Sequence, residues 1–217
     1  MIKLFDLLKE QNNILIPRRS AEERAKNEVI ITQKKIQQYI KDGGEGDLDL
    51  RGSIITLLPD NLKVGGDLDL TDSSITSLPD NLKVGGSIDL TDSSITSLPD
   101  NLEVGGSINL TSTKITSLPN NLKVGRSIDL YDAPITSLPD NLEVKNYLNL
   151  MRSKITSLPN NLKVGSDLDL TFTKITSLPN NLKVGGSINL YGTPISKKYT
   201  EEHLKQMLPG VKGRIYI

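Results

Sequence analysis

Apolar and polar residues along this chain repeat with a period of 20. In residues 67–86, DLDLTDSSITSLPDNLKVGG, the apolar positions are Leu68, Leu70, Ile75, Leu78, Leu82 and Val84. Residues 87–106 read SIDLTDSSITSLPDNLEVGG, and the unit recurs seven times over residues 47–186 without insertion or deletion. An eighth strand segment, SINL, opens at Ser187. Leu68 and Leu70 alternate with Asp67, Asp69 and Thr71, which is the period of a strand with one buried face; the pattern predicts a strand of about four residues. A Thr-Asp-Ser-Ser turn follows, and Ile75 and Leu78 face inward again. Pro79 stops any helix at that point, so the segment from Leu78 to Val84 is expected to return the chain in extended or one-turn helical form. A fixed period of this length marks a solenoid, in which each unit stacks on its neighbours. One unit cannot bury its six aliphatics alone. In a stack each contributes about 1.5–3 kcal/mol before entropy is subtracted.

The ends differ from the repeats, as a solenoid requires, because its terminal units would otherwise expose a core face. Residues 1–46 are expected to form a helical N-terminal cap. Ile2, Leu4, Phe5, Leu7 and Leu8 suit one short helix. Ser20 and Glu23 have capping-box spacing, and Ala25, Val29, Thr32, Ile36, Tyr39 and Ile40 follow at helical spacing up to Gly43-Gly44. Arg18 and Arg19 precede that helix; a solvated charge pair is the preferred reading over an anion site at its N-terminus. After the solenoid, residues 47–194, comes a C-terminal cap over residues 195–217. It holds a helix from about Thr200 to Met207 and a final strand. That strand is read from the match of residues 211–217, VKGRIYI, to residues 184–190, VGGSINL.

The pattern L-x-L-x-x-S-x-I-x-x-L-P resembles the leucine-rich repeat, L-x-L-x-x-N-x-L-x-x-L-P, in register over residues 47–194. The resemblance implies a leucine-rich-repeat solenoid with a parallel β-sheet of about nine strands, whose outward residues form a concave binding face. The 20-residue period is similar to the short class found in secreted bacterial effectors. The segments LPDNLKVGG, IPRRSAEER and PISKKYTEE are similar to leucine-rich-repeat proteins of large tailed bacteriophages. What this group implies is a fold and a binding habit, not a reaction. One position departs from the family. Its turn asparagine is replaced by Ser53, Ser73, Ser93, Thr113, Ala133, Ser153, Thr173 and Thr193. Hydroxyls are expected to replace the amide in part; Ala133 cannot, so its turn must be held another way, for which the rigidity of Pro134 is a candidate.

Charge narrows the partner. Lys+Arg and Asp+Glu balance at 26 each. Residues 1–46 hold 9 basic and 7 acidic residues and residues 195–217 hold 5 and 2, which leaves the repeats 12 basic and 17 acidic, a net of −5. Such a surface disfavours nucleic acid and anionic lipid. No apolar run reaches membrane-spanning length, the N-terminus lacks signal-peptide features, and a cytoplasmic protein is expected. There is no cysteine, so thiolate metal sites and cysteine nucleophiles are excluded. The single His203 falls in the cap with no triad partner in view. The Gly-Gly pair before each strand is not a phosphate loop, since no helix N-terminus or P-loop lysine follows it. Its positions also accept Arg126, Lys145-Asn146 and Ser166, so a tight corner without obligatory positive φ is the reading.

The outward strand positions form columns. The central one runs Asp49, Asp69, Asp89, Asn109, Asp129, Asn149, Asp169, Asn189. Carboxylates stacked about 4.8 Å apart repel. The column reads either as a repeat consensus copied by duplication, with Asn relieving the charge, or as a ladder for cations or a basic partner. The flanking columns begin with Thr71, Asp72, Thr91, Asp92, Thr111 and Ser112, then depart to Tyr131, Tyr147, Met151, Arg152, Phe172 and Tyr191. Tyr216 falls on the central column of the last strand. Aromatics and arginine are favoured at interface hot spots, and alternating outward positions are not core. These six residues are therefore the candidate partner-binding set; no catalytic, metal or cofactor site is assigned. The expected function is that of a non-enzymatic protein–protein interaction module, a phage protein that binds a host protein in the infected bacterial cytoplasm. A structural or self-assembling virion component is the alternative.

Overall fold

The computed structural model describes residues 20–217. The helix expected from Ile2 to Leu8 and the Arg18–Arg19 pair lie outside the described residues. Helix α1, Ala21–Lys41, starts at the expected capping box: Ser20 Oγ accepts from the Glu23 amide at 3.1 Å, and the Ser20 amide donates to Glu23 Oε2 at 2.9 Å. Only part of the expected face reaches the core. Ile36 and Thr32 are buried and Val29 and Tyr39 half-buried, whereas Ala25 and Ile40 lie on the solvent side. Tyr39 joins cap to solenoid, its hydroxyl donating to the Gly44 and Gly46 carbonyls and accepting from the Gly65 amide.

Each 20-residue coil contributes one strand to a parallel sheet. The strands are β1 (Leu48–Asp49), β3 (Leu68–Asp69), β5 (Ile88–Asp89), β7 (Ile108–Asn109), β9 (Ile128–Asp129), β11 (Leu148–Asn149), β13 (Leu168–Asp169) and β15 (Ile188–Asn189). The ninth, β16 (Ile215–Tyr216), pairs in the register expected from sequence, Ile188 with Ile215 and Asn189 with Tyr216. The order along the sheet is the order along the chain. Each ladder is only two residues long, shorter than the four expected, because the chain turns as soon as the second inward leucine is placed. Leu68, Leu70, Ile75 and Leu82 are all fully buried, and their equivalents form one continuous core.

The return path is not helical. Two residues per coil form a second set of short parallel strands at the back: β2 (Lys63–Val64), β4 (Lys83–Val84), β6 (Glu103–Val104) and β8 (Lys123–Val124) in one ladder, and β10 (Glu143–Val144), β12 (Lys163–Val164) and β14 (Lys183–Val184) in another. The chain closes with α2, Pro194–Lys198, which was not expected, and α3, Glu201–Met207, which was; Thr193 and Thr200 cap them. Among the described residues no helix is long and apolar enough to cross a membrane.

The glycine pairs before the strands, Gly65-Gly66, Gly85-Gly86, Gly105-Gly106 and Gly185-Gly186, adopt no positive φ. They are small because coils touch there: a Cβ on Gly85 would overlap the Gly65 carbonyl, and one on Gly86 the Asp67 carboxylate. The turn hydroxyls split by residue type. Thr113, Thr173 and Thr193 donate to the carbonyl three residues back at 2.6–2.8 Å, while Ser53, Ser73, Ser93 and Ser153 are buried without a partner. The turn is held by backbone, as in Ser73 N–H to Leu70 O at 3.2 Å and Ala133 N–H to Leu130 O at 3.1 Å. That is why Ala133 is tolerated. Ser153→Thr is accordingly expected to gain the threonine bond and about 0.5–1 kcal/mol, measured by denaturant titration; a loss of stability would mean the added methyl does not fit.

Candidate functional site

Two columns of outward positions on the nine-stranded sheet are each held by a bond of their own. In the first, a side-chain oxygen accepts from the amide 20 residues on. Asp47 accepts from Asp67, Asp67 from Ser87, Ser87 from Ser107, Ser107 from Ser127 and Ser127 from Tyr147, at 2.6–3.3 Å. Tyr147 carries no oxygen near its backbone, and among the described residues the rung to the Asp167 amide is missing. The series resumes at Asp167, which accepts from Ser187, and Ser187, which accepts from Arg214. In the central column the side chain accepts from the amide two residues on, as Asp169 does from Thr171 at 2.8 Å. This is an Asx-type turn that ends the strand.

The third feature is the turn residue itself. Gly52, Asp72, Asp92, Ser112, Asp132, Arg152, Phe172 and Gly192 all have left-handed backbone, with φ between 54° and 72°. Glycine and aspartate tolerate that region; arginine and phenylalanine do so only at a cost of about 1–2 kcal/mol each.

The six residues singled out from sequence fall into two groups. Arg152, Phe172 and Tyr191 touch: the Phe172 and Tyr191 rings meet edge to face with centroids 5.5 Å apart, and the Arg152 guanidinium carbon lies 5.8 Å from the Phe172 centroid. The Phe172 ring covers Gly192, where any Cβ would overlap it. Phe172 and Tyr191 are 48% and 58% exposed, well above core values. Tyr131 and Met151 are half-buried in the column that continues through Thr171 to Tyr191; Thr171, between two large neighbours, is buried with its hydroxyl unpartnered.

Tyr147 stands apart, on the first column. With Tyr216 it walls an open cleft of about 230 Å³ floored by Asp167, Leu168, Asp169, Ser187 and Asn189. Burial, then the charges of Asp169, Asp129 and Asp167, push the Tyr147 hydroxyl up to about 12. Sequence alone places Tyr216 on this face but does not join it to Tyr147 or to the two aspartates. Its alignment with Asn189 was the available signal.

At the other end of the sheet Arg51 neutralises the acidic column. It reaches Asp49 at 3.0 Å and Asp69 at 3.3 Å, and its hydrogen bonds hold the Asp49 carboxyl at about 2. The back face carries alternating charge: Glu103 lies between Lys83 and Lys123, at 2.7 and 2.9 Å, and hydrogen bonds from both lysines lower its carboxyl to about 2. His203 stacks on Tyr199 at 4.8 Å on the cap surface. Among the described residues, no three His, Cys, Asp or Glu side chains gather in a way that would hold a metal ion. No protein-family model matches the chain, and no curated protein matches it in sequence.

Proposed function

We propose that the chain is a non-enzymatic protein-binding module that uses the outer face of its nine-stranded sheet, at the C-terminal half. One observation carries the reading. At Tyr147, Arg152 and Phe172 the sequence breaks the rules of its own coil, giving up an inter-coil rung at the first and accepting left-handed backbone at the other two. Local rules are broken without structural gain mainly at functional sites. The side chains presented there are of the kind that dominates interface energetics. The likeness of the repeat to bacteriophage leucine-rich-repeat proteins supports a phage origin and a host protein in the bacterial cytoplasm as partner.

The test is capture from lysate of the host bacterium, followed by comparison of variants on the identified partner. Tyr147→Ala/Phe172→Ala is expected to weaken binding by about 2 kcal/mol or more, while Lys123→Ala/Glu143→Ala on the back leaves it unchanged. The reverse result would move the interface to the back. Self-association through the outer face, with no partner captured, would favour a structural role in an assembly.

A further inference from the structure

Asp169 differs from the other carboxylates of its column. Asp49 and Asp69 are paired with Arg51. Asp89 accepts from the Thr91 hydroxyl at 2.6 Å and the Asn109 amide at 3.4 Å. Asp129 accepts from the Asn149 amide at 3.0 Å and the Thr111 hydroxyl at 3.4 Å. Asp169 accepts only from the Thr171 backbone, and neighbouring Asp167 only from the Ser187 backbone. Among the described residues neither carboxylate has a side-chain partner or lies within 4 Å of a basic group. Arg214, beside Ser187 in the first column, makes no ion pair with either.

These two unpaired carboxylates lie on the floor of the cleft between Tyr147 and Tyr216. The strands carrying the tyrosines, β11 and β16, are three strand steps apart, about 14 Å of backbone separation at the spacing of a sheet. A cation lowered into the cleft would meet two carboxylates below and one or the other tyrosine at its wall. Carboxylates repel anions, and a ring face attracts a cation within about 6 Å of its centroid. A hard metal ion asks for six or more oxygens, whereas two carboxylates, two phenol rings and the Leu168 backbone region suit a partly apolar organic cation.

We propose that this cleft seats a lysine or arginine side chain of the partner polypeptide, its stem against a tyrosine wall and its charge over Asp167 and Asp169. The proposal rests on the outer face being the binding face. It predicts that the partner's segment is basic at this point, in keeping with the acidic repeats.

The assay is an amide-resonance NMR titration of the full chain with N-acetyl-arginine methylamide and N-acetyl-lysine methylamide, with N-acetyl-norleucine methylamide as the uncharged control and calcium chloride as a metal control. Saturable shifts at Tyr147, Asp167, Asp169 and Tyr216 are expected with one or both basic probes and not with norleucine. Asp167→Ser/Asp169→Asn should weaken them about fivefold, the loss of an exposed charge pair. Both replacements are residues that other coils already carry at these positions, Ser187 and Asn189 among them, so the variant keeps the fold. Asp89→Asn should leave the shifts unchanged. The proposal is overturned by no saturable shift, by shifts spread along Asp69 and Asp89, by equal response to norleucine, or by a response to calcium alone. Once a partner is in hand the two readings separate. Binding that is lost with Phe172→Ala but survives Asp167→Ser/Asp169→Asn removes the cleft and keeps the face. Binding indifferent to both removes the face.

Discussion

Lys145→Gly is expected to join the two back ladders into one and stabilise the protein by about 2 kcal/mol. The break between them falls at Lys145. On either side the rungs are intact, Gly125 N–H to Val104 O and Gly165 N–H to Val144 O, both 2.8 Å, and among the described residues no such bond runs from Lys145 to Val124. Strands β8 and β10 are unpaired with each other. No ion pair crosses from Lys123 to Glu143, although Lys123 and Lys163 each reach a glutamate of their own ladder. The cause is one atom. At the equivalent corners a Cβ on Gly105, Gly125 or Gly165 would overlap the carbonyl of the coil beneath; Lys145 has that Cβ and holds its coil off. Leu122 is left half-buried where Leu82, Leu102, Leu162 and Leu182 are completely buried, and an open groove of about 630 Å³ runs along the gap. Regaining two backbone bonds and burying Leu122 offers about 2–3 kcal/mol, less about 0.5–1 for the freedom glycine gains in the unfolded chain. The melting midpoint should rise by about 4–8 °C. Amide exchange at Glu143 and Lys145 should slow, and Gly105→Lys should open a second gap two coils earlier. Unchanged exchange at Glu143 and Lys145 in Lys145→Gly would show that the separation has another cause.

The same position shows where sequence reading stops. A strict period of 20 carries register directly, so the nine-stranded sheet was legible down to the pairing of Ile215 with Ile188, and the Ser20–Glu23 box marked the start of α1. The back strands were not, because two residues such as Lys83 and Val84 are too few to show alternation. The tolerance of Lys145 at a glycine position was visible, but its price in lost pairing depends on which atom the Cβ meets. Among candidate site residues, outwardness followed from alternation. Their division into an Arg152–Phe172–Tyr191 cluster and a Tyr147–Tyr216 cleft did not, since it depends on side-chain direction between strands. One missed signal was in plain view: Gly, Asp or Ser at 52, 72, 92, 112, 132 and 192 marks a left-handed turn residue, and from it the strain at Arg152 and Phe172 follows.

That strain yields the second large effect, one that separates binding from stability. Arg152→Gly/Phe172→Gly is expected to leave stability within about 1 kcal/mol of wild type and to weaken partner binding by about 2 kcal/mol or more. Relief of two left-handed side-chain-bearing residues is worth about 1–2 kcal/mol each, less about 0.5–1 for the freedom each glycine gains in the unfolded chain. Against it stand the edge-to-face contact with Tyr191 and the cation–π contact at 5.8 Å, which at exposed rings amount to about 0.5–1 kcal/mol apiece. The chain itself uses glycine at this turn, at 52 and 192 with φ of 63° and 72°, so the backbone accepts the change without rearrangement. Tyr147→Ser, which restores the missing rung to the Asp167 amide but removes a half-buried ring, should be nearly neutral in stability. Denaturant unfolding of each variant beside wild type measures the first half of the prediction, and titration against the captured partner the second. A destabilised double variant would mean that Phe172 and Arg152 serve the packing of the last coils. A variant that still binds at full strength would leave the strain at these two turns without the function assigned to it.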